Sequence, residues 1–472
     1  MIKRSSETAA HAWQLLGGDP ALMAAVEYGG AEGVLPARLP ARELARATVT
    51  CAALAAAELQ AARRGGGALP AVRVDDGAVA AAFTSERLVR VEGRAPTNFA
   101  PLSRFWRTAD GWLRTHGNYA HHRERLLAAL GVPDPGPAGD AAAAERVAAE
   151  LAGRTAQDAE ELIDAAGGLA VAVRTPAQWA AHPQGAEVAR RPLLAVERFA
   201  DGPLRRPLAA PDGLPAAGLR VLDLTRVLAG PVATRTLALL GADVLRIDAP
   251  WLPESQELHD DTGLGKRSVC LDLARPADRA AFEDLLATAD VVVTGYRPGA
   301  LDRHGLSPEA LAERRPGLVV GQLSAWGAYG PWGARRGFDS LVQAACGIAV
   351  TESAPGADAD APPGALPAQA LDHGTGYLLA AAVLRAVTEQ HATGGTRLAR
   401  LALAQTAAWL CHGVVADEGE PEGDHDARAH LTEGKGPLGR MRHARPAVAF
   451  DGSPCDWCRR PGRLGADTPV WL

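Results

Sequence analysis

Residues 218–250 have the sequence GLRVLDLTRVLAGPVATRTLALLGADVLRIDAP, and after a polar loop residues 265–273 continue with GKRSVCLDL. The short apolar run Leu219–Leu224 predicts a buried strand. An Ala-Gly-Pro turn at residues 229–231 interrupts it, and the apolar spacing that follows predicts a helix that ends at Gly241. Val244–Ile247 predicts a second strand. This order is that of a right-handed βαβ unit, and such parallel sheets bind ligands at the carboxyl ends of their strands.

The turn after the first strand carries neither of two common nucleotide-binding motifs. The chain has no GxGxxG and no GxxxxGK[ST] at this position, so neither a dinucleotide fingerprint nor a P-loop is predicted. These residues alone therefore indicate an α/β protein with a nucleotide-binding-type sheet and an unusual Ala-Gly-Pro turn.

Composition is that of an ordinary soluble protein. The 472 residues suffice for two or three domains, and they carry a formal net charge of −6 with a pI near 6.1. No basic patch with interleaved aromatic residues indicates a nucleic-acid partner. The first residues lack the apolar core of a signal peptide, and the apolar run Tyr377–Val387 is too short to cross a bilayer. We therefore expect a cytoplasmic protein with no membrane partner.

The cysteines and histidines do not predict a metal site. Six scattered cysteines are too few for a disulfide framework in a chain of this size, and the Cys455/Cys458 pair lacks a second pair at zinc spacing. His116, His121 and His122 are close in sequence, but no carboxylate or cysteine accompanies them at ligand spacing. We expect surface histidines, no metal and no tightly bound cofactor.

Six segments occur in the order found in one enzyme family. They are VLDLTRVLAGP, LLGADVLRID, GKRSVCLDL, GYRPGALDRHGL, LSAWGAYGPW and RRGFDSLVQAACGI, all within residues 218–350. They resemble the family III coenzyme A transferases, which include formyl-CoA and carnitine CoA transferases and the related α-methylacyl-CoA racemases. The resemblance implies an α/β fold, with an open parallel sheet flanked by helices, a smaller α+β domain and an interlocked dimer. It also implies acyl-CoA and a carboxylic acid as substrates.

The order of the domains departs from that family. Residues 84–200 resemble the family's small domain, which normally follows the large domain and here precedes it. Residues 39–75 also resemble residues 366–402, an offset of 327 residues (366 minus 39). Both segments have Leu-Pro-Ala, an Ala-rich helix, a Gly turn and an Arg-containing strand, although two Ala-rich helices also resemble each other by chance. We therefore expect the following division: a degenerate distal large-domain copy (1–83), the small domain (84–200), a linker (201–217), the CoA-binding large domain with the nucleophile (218–410) and a C-terminal return segment (411–472).

Asp372 is the predicted nucleophile. It matches the family's catalytic aspartate in LPAQALDHGTGYLLAAAVL, and its counterpart in the first copy is Ala45, so the resemblance implies one active site per chain. The position also suits the chemistry, because the N-terminal dipole of an apolar helix stabilises a carboxylate. The alternative from the residues alone is that Asp372 caps the helix.

The resemblance implies covalent catalysis. Asp372 would attack an acyl-CoA thioester, and CoA would pass through an aspartyl-CoA thioester to an acceptor acid. Each tetrahedral intermediate needs hydrogen-bond donors for its oxyanion, and the backbone amides of the Ala-Gly-Pro turn are candidates.

Further residues are implied by their matching positions. Asp339 matches an acidic position near the nucleophile, with the alternative that it caps the helix of residues 340–346. The expected CoA-binding residues lie at the Ala-Gly-Pro turn, in GKRSVCLDL, in GYRPGALDRHGL and in RRGFD, and arginine side chains among them suit phosphate groups. They are Leu228, Ala229, Lys266, Arg267, Leu271, Asp272, Tyr296, Arg297, Arg303 and Arg336. For each arginine the alternative is a solvated surface charge.

Two other functions remain open at the level of sequence. An acyl-CoA racemase would need the histidine of the family's GHD motif, where this chain has Phe338, and His373 is not at the matching position. A non-catalytic CoA-binding homologue is the third reading, because the family's glycine-rich lid has no match. Leu228 stands where many transferases have a polar residue, and with Trp326 it hints at a more apolar acyl group.

Overall fold

The structure is a computed structural model that describes residues 3–97, 99–205, 213–354, 356, 361–417 and 425–472. The helices are α1 (Lys3–Leu15), α2 (Ala41–Arg63), α3 (Asp76–Phe83), α4 (Ser85–Leu88), α5 (Ala120–Ala129), α6 (Asp140–Ala152), α7 (Ala156–Ala165), α8 (Pro176–Ala181), α9 (Pro183–Ala189), α10 (Ala229–Leu239), α11 (Gln256–Thr262), α12 (Pro276–Leu286), α13 (Pro308–Arg314), α14 (Asp339–Ala345), α15 (Ile348–Thr351), α16 (Ala370–Thr393) and α17 (Leu403–His412). The strands are β1 (Val26–Gly29), β2 (Val72–Asp75), β3 (Arg90–Val91), β4 (Phe105–Arg107), β5 (Trp112–Thr115), β6 (Ala170–Ala172), β7 (Leu194–Ala200), β8 (Arg220–Leu224), β9 (Asp243–Asp248), β10 (Arg267–Cys270), β11 (Val291–Thr294), β12 (Val319–Ser324), β13 (Thr396–Ala402), β14 (Leu431–Gly436), β15 (Gly439–Ala444) and β16 (Ala449–Phe450).

The largest sheet of the described residues has seven strands in the order β10-β9-β8-β11-β12-β13-β7. All pairs are parallel except β13 with β7, which is antiparallel. The strand predicted at Leu219–Leu224 is β8. The strands β9 and β10 are added on one side of β8, and β11, β12 and β13 are added on the other side. The sheet thus has its topological switch beside β8, where open α/β sheets bind ligands. The fold class predicted from the sequence is confirmed.

The Ala-Gly-Pro segment lies inside a helix rather than in a loop. α10 begins at Ala229, so Pro231 is the third residue of its first turn, where its missing amide hydrogen costs no intrahelical bond. The helix packs against the sheet through Val232, Ala233 and Leu237, which are all buried. The turn therefore leads the chain directly from the carboxyl end of β8 into a helix N-terminus.

Helix α16 is a long helix beside this sheet, and most of its residues are buried. It packs against α2, α10 and β12. Runs of alanine at residues 52–53, 55–57 and 380–382 are fully buried, and such small side chains let helix backbones approach closely. Arg385 of α16 pairs with Glu58 of α2 at 2.5 Å. The N-terminal part of the chain and the large sheet therefore share one core.

A smaller α+β layer lies between these parts in sequence. The three-stranded sheet β4-β5-β6 packs with α5, α6 and α7 around a separate core, which includes Leu102, Leu113, Leu126, Val147 and Ile163. This layer lies within residues 84–200, which the sequence assigns to the small domain.

Two segments have the same order of elements. α2, β2 and α3 follow one another as α16, β13 and α17 do, and β1 pairs in parallel with β2 as β12 pairs with β13. At the predicted offset of 327 residues, Asp76 and Leu403 each begin a helix (403 minus 76). Among the described helices, none has both the length and the apolar composition needed to cross a membrane.

Two glycines of α16 test how tightly it is packed. A Cβ atom at Gly376 would lie 2.5 Å from the carbonyl oxygen of Ala229, whereas at Gly374 the nearest atom, 3.1 Å away, is the end of the Leu44 side chain.

Gly→Ala normally stabilises a helix interior by up to about 1 kcal/mol. We expect Gly376→Ala to lower stability by about 1–3 kcal/mol through overpacking, and Gly374→Ala to be close to neutral. Thermal melts of both variants measure this, and equal melting temperatures would contradict the tight contact.

Candidate active site

Asp372 lies in the first turn of α16 and is held by a second carboxylate. Asp339 Oδ2 accepts hydrogen bonds from the backbone amides of Leu371 and Asp372, both at 2.9 Å, and Gln343 Nε2 donates to its other oxygen at 2.5 Å. Asp339 therefore caps the helix that carries Asp372. The alternative from the sequence, a cap on its own helix α14, is not formed, because the Asp339 side chain accepts from the otherwise unpaired amides of α16 instead.

A glutamate from the N-terminal part of the chain completes the cluster. Glu86 Oε2 lies 3.1 Å from Nε2 of His373, the residue after Asp372. Phe83 stacks on the same imidazole with ring centroids 5.2 Å apart. Burial raises the pKa of Glu86, but the hydrogen bond and charge of His373 outweigh it, so the pKa lies below its usual value. Glu86 was not among the residues predicted from sequence, since it is distant in the chain.

The electrostatics make Asp372 an unusual carboxyl group. Burial, and then the charges of Asp339 and Glu86, raise its pKa well above the usual value. Burial also raises the pKa of Asp339 to about 6, although the amides of residues 371 and 372 and the Gln343 side chain oppose the rise. Among the described residues no cation lies within 4 Å of the Asp372 carboxylate. A buried carboxylate with a strongly shifted pKa that lines a cavity is a candidate functional group.

A first cavity of about 550 Å³ opens at the carboxyl ends of the parallel strands. It is lined by the ends of β8, β9, β11 and β12, by helix α5 and by the segment before α14. The lining residues predicted from sequence are Ala229, Leu271, Tyr296, Arg297, Arg303, Arg336 and Asp372. These predicted residues therefore share one cavity at the carboxyl edge of the sheet.

Arginine side chains give this cavity its charge. Arg125, Arg297, Arg303 and Arg336 line it, and within the described part of the chain none of them has a carboxylate within 4 Å. Burial and the neighbouring charges of Arg297 and Arg125 lower the pKa of Arg336. Like charges converge in this way where an anion is bound, so the cavity suits a polyanionic ligand.

A second cavity of about 400 Å³ lies on the other side of Asp372. Leu228 and Asp339 line it, together with residues of the small layer and of α11. Of the described residues, Tyr119, Val227, Phe338 and Asp372 line both cavities. The candidate nucleophile therefore stands where the two cavities meet.

The turn between β8 and α10 forms the wall between the cavities. Val227 has a φ of +66°, which is a strained conformation for a β-branched residue and is frequent at functional sites. Glu254 Oε2 accepts a hydrogen bond from its amide at 3.2 Å and holds the turn. The first amides of α10, at Ala229 and Gly230, therefore begin a helix beside Asp372, and such amides have no intrahelical acceptor.

Three of the predicted CoA-binding residues do not reach either cavity. Lys266 is fully buried, and its ammonium donates to Asp223 Oδ2 and to the Pro231 carbonyl, both at 2.9 Å. Arg267 pairs with Asp243 at 2.8 Å, and Asp272 accepts from the amide of Ala274 at 2.8 Å. The structure does not bring these three side chains to the cavities, and their polar groups hold the sheet and its loops together.

Three histidines expected at the surface belong to this site. His116 and His122 are buried, and the His116 ring stacks on Phe338 with centroids 3.7 Å apart and planes at 8°. Burial lowers the pKa of His116 to about 3 and that of His122 to about 2, so both imidazoles are neutral. His121 lines the first cavity. Among the described residues no group of three His, Cys, Asp or Glu side chains is arranged to hold a metal ion.

Known proteins resemble this chain over the part that builds the site. Residues 216–440 match the family model for CoA-transferase family III. The acetyl-coenzyme A transferase nodX of Hypoxylon pulicicidum is 31% identical over 333 residues, which cover 67% of this chain and 55% of that protein. The formyl-CoA:oxalate CoA-transferase of Streptomyces coelicolor is 32% identical over 212 residues, 43% of this chain and 50% of that protein.

A further relative has a solved structure. The probable fatty acyl-CoA transferase Rv3272 of Mycobacterium tuberculosis is 32% identical over 209 residues, 42% of this chain and 52% of that protein. A crystal structure of Rv3272 superposes with a TM-score of 0.39 at 33% identity, and covers 42% of this chain and 56% of that chain.

The α/β fold and the matching motifs thus make this chain similar to the CoA transferases of family III. Residues 216–440 therefore match CoA-transferase family III, and the relatives that resemble this part of the chain are named CoA transferases. The chain spans about half the length of the curated relatives it matches.

The raised pKa of Asp372 predicts a pH-dependent cost to stability. Because the folded-state pKa lies above the unfolded value of about 3.9, ionisation destabilises the folded chain as pH rises from there through the folded-state pKa. Asp372→Asn removes this cost. We expect its melting temperature to exceed that of the wild type by about 1–4 °C near pH 8.5, with the difference vanishing near pH 4.

The control for this measurement is Asp201→Asn, because the Asp201 side chain is 99% exposed. We expect no change in its melting temperature at either pH. An Asp372→Asn protein that is less stable than the wild type at every pH would contradict the buried, uncompensated carboxylate.

Proposed function

We propose that this protein is a CoA transferase that moves coenzyme A from an acyl-CoA to a carboxylic acid through a covalent intermediate on Asp372. The observation that carries the proposal is the position of the Asp372 carboxylate, buried at the junction of an arginine-lined cavity and a second cavity. A thioester whose CoA part fills the first cavity and whose acyl part fills the second would bring its carbonyl carbon to this carboxylate.

The reaction is balanced without a further reagent. The Asp372 carboxylate attacks the thioester carbonyl, and the carbon–sulfur bond breaks. CoA departs as a thiolate, and an acyl-aspartyl anhydride remains on the enzyme. The thiolate attacks the aspartyl carbonyl, releases the first acid and forms an aspartyl-CoA thioester. The acceptor carboxylate attacks the aspartyl-CoA thioester and displaces CoA thiolate, which gives a second anhydride. The thiolate then attacks the acceptor's carbonyl carbon in this anhydride, so that the new acyl-CoA forms and the Asp372 carboxylate is restored. Covalent catalysis divides one difficult exchange into easier steps.

Neighbouring groups have defined tasks in this scheme. The capping bonds from residues 371 and 372 to Asp339 fix the helix end, so the nucleophile is positioned before substrate arrives. The amides at the start of α10 would stabilise each oxyanion, because helix N-termini favour negative charge. The arginines of the first cavity would bind the phosphate groups of CoA.

A racemase is the second candidate, and one observation favours it. The sequence has Phe338 where a racemase has histidine, but the His116 imidazole stacks on Phe338 and faces the same cavity as Asp372. A neutral imidazole and a carboxylate on one cavity are the groups that α-proton exchange needs. Exchange of the α-hydrogen of an acyl-CoA in D₂O, without any covalent adduct, would favour this candidate over the transferase.

The covalent intermediate can be trapped. We expect incubation with acyl-CoAs, followed by hydroxylamine, to convert Asp372 into a hydroxamate, because hydroxylamine attacks both an anhydride and a thioester of the carboxyl group. Intact-protein and peptide mass spectrometry locate the modification. Asp372→Asn should show no adduct and Asp201→Asn a normal one. A modification on another residue, or none with any acyl-CoA while CoA still binds, would overturn the covalent mechanism.

The first cavity makes a separate prediction about CoA affinity. We expect Arg297→Gln and Arg336→Gln each to raise KM for the CoA thioester by roughly 10-fold with little change in kcat, because each removes a charged hydrogen bond to phosphate. The dependence of KM on ionic strength should weaken as well.

Arg190→Gln is the control for these variants, since Arg190 is an exposed arginine paired with Glu187 and remote from both cavities. Unchanged KM in Arg297→Gln and Arg336→Gln would show that these arginines do not contact the phosphates of CoA.

A further inference from the structure

The second cavity has a composition that is selective for one class of acid. Its apolar wall includes Pro96, Phe99, Leu228, Leu258 and Phe338. Its volume of about 400 Å³ lies within the range of roughly 300–1,000 Å³ typical of small-molecule pockets. A formyl or oxalyl group would leave most of this apolar surface uncovered, whereas a larger acyl body would cover it.

The charges in the second cavity oppose a second negative group. Five carboxylates line it, those of Glu86, Glu254, Glu257, Asp339 and Asp372, and among the described lining residues only Arg87 carries a positive charge. The Arg87 guanidinium is already engaged, because it donates to the Pro367 carbonyl at 2.7 Å and lies 3.4 Å from Glu86. A dicarboxylate would therefore bring its free carboxylate to an acidic wall whose one lining cation among the described residues, Arg87, already has partners.

Two buried polar atoms on the cavity lining have no partner in the described part of the chain. They are Ser340 Oγ and His116 Nδ1, on side chains that are 9% and 4% exposed. A buried polar group without a partner is costly, and a ligand that supplies a hydrogen bond removes that cost. Because a hydroxyl donates and accepts and the imidazole of His116 is neutral, both atoms suit an uncharged polar group.

We propose that the second cavity binds the body of a bulky, largely apolar monocarboxylic acid that carries a neutral hydroxyl or keto group near Ser340, and that it rejects small dicarboxylates. This inference rests on the function proposed above and specifies its substrate class. Leu228 acts in the same direction, because it presents an apolar side chain to the cavity at the turn beside the nucleophile.

Isotope exchange tests this without knowledge of the natural donor and acceptor. A labelled acid is mixed with its own unlabelled CoA thioester, and transfer of label into the thioester requires only binding and the covalent half-reactions. We expect exchange with octanoate and 3-hydroxyoctanoate to be at least about 30-fold faster, in kcat/KM, than exchange with succinate or oxalate.

The outcomes separate the two proposals. Exchange of succinate or oxalate at a rate equal to that of octanoate would overturn the substrate class and leave the transferase function intact. Absence of exchange with every acid, together with absence of a hydroxamate on Asp372, would overturn the transferase function itself.

Two variants locate the specificity in the cavity. Ser340→Ala should lower the ratio of 3-hydroxyoctanoate to octanoate exchange by about 5–10-fold, because it removes the hydrogen-bonding hydroxyl. Ala100→Phe fills the cavity and should lower the ratio of octanoate to propanoate exchange by a similar factor. Each readout is a ratio within one protein, so partial loss of folded enzyme does not affect it. Unchanged ratios in both variants would overturn the assignment of this cavity to the acyl group.

Discussion

The packing of α2 against α16 is the contact on which the rest of the structure depends. It joins the N-terminal part of the chain to the large sheet, and it brings Glu86, which follows α3, beside His373 and Asp372. The fully buried alanines of both helices permit the close approach, and the Glu58–Arg385 pair fixes the register at the far end. This contact therefore gives Asp372 its second cavity and brings up Glu86, one of the two negative neighbours that raise its pKa after burial.

We propose that this contact is an internal form of a dimer interface. Glu58 and Arg385 are 327 residues apart, the same offset that relates the two helix–strand–helix segments. In a two-fold interface, equivalent positions meet each other at the axis. A repeat whose copies pack in this way would place both halves of an interlocked pair within one chain, with the nucleophile in one copy and Ala45 in the other. The homodimer implied by the family resemblance stays a prediction. Within this chain, the small layer already lines the second cavity.

The sequence predicted those features that local patterns determine. The apolar runs gave β8 and β9 nearly to the residue, and the position of Asp372 before an apolar helix placed it in the first turn of α16. Patterns do not show which partner a polar side chain finds. Lys266 and Arg267 were therefore placed at the ligand, although they form ion pairs with Asp223 and Asp243 inside the large domain.

Long-range contacts account for the residues that sequence reasoning missed. Glu86, Tyr119 and His116 reach the site only because the small layer packs over the carboxyl ends of the parallel strands, and no spacing in the chain encodes that placement. The stack of His116 on Phe338 is an example, since the two residues lie far apart in sequence, one just after β5 and the other just before α14. A site between two layers is therefore less visible in sequence than a site on a single turn.

Among the described residues Asp372 has no cationic partner, and this arrangement has a chemical rationale. Arg226 and Arg246 lie near Glu254, and His373 lies beside Glu86, so the supporting carboxylates have positive or hydrogen-bonding partners. Asp372 has carboxylates as its charged neighbours instead, and these raise its pKa. A cation at Asp372 would stabilise the carboxylate and lower its reactivity toward a thioester, whereas burial among acids does the opposite. In the proposed mechanism, the loss of stability therefore falls on the group whose reactivity it increases.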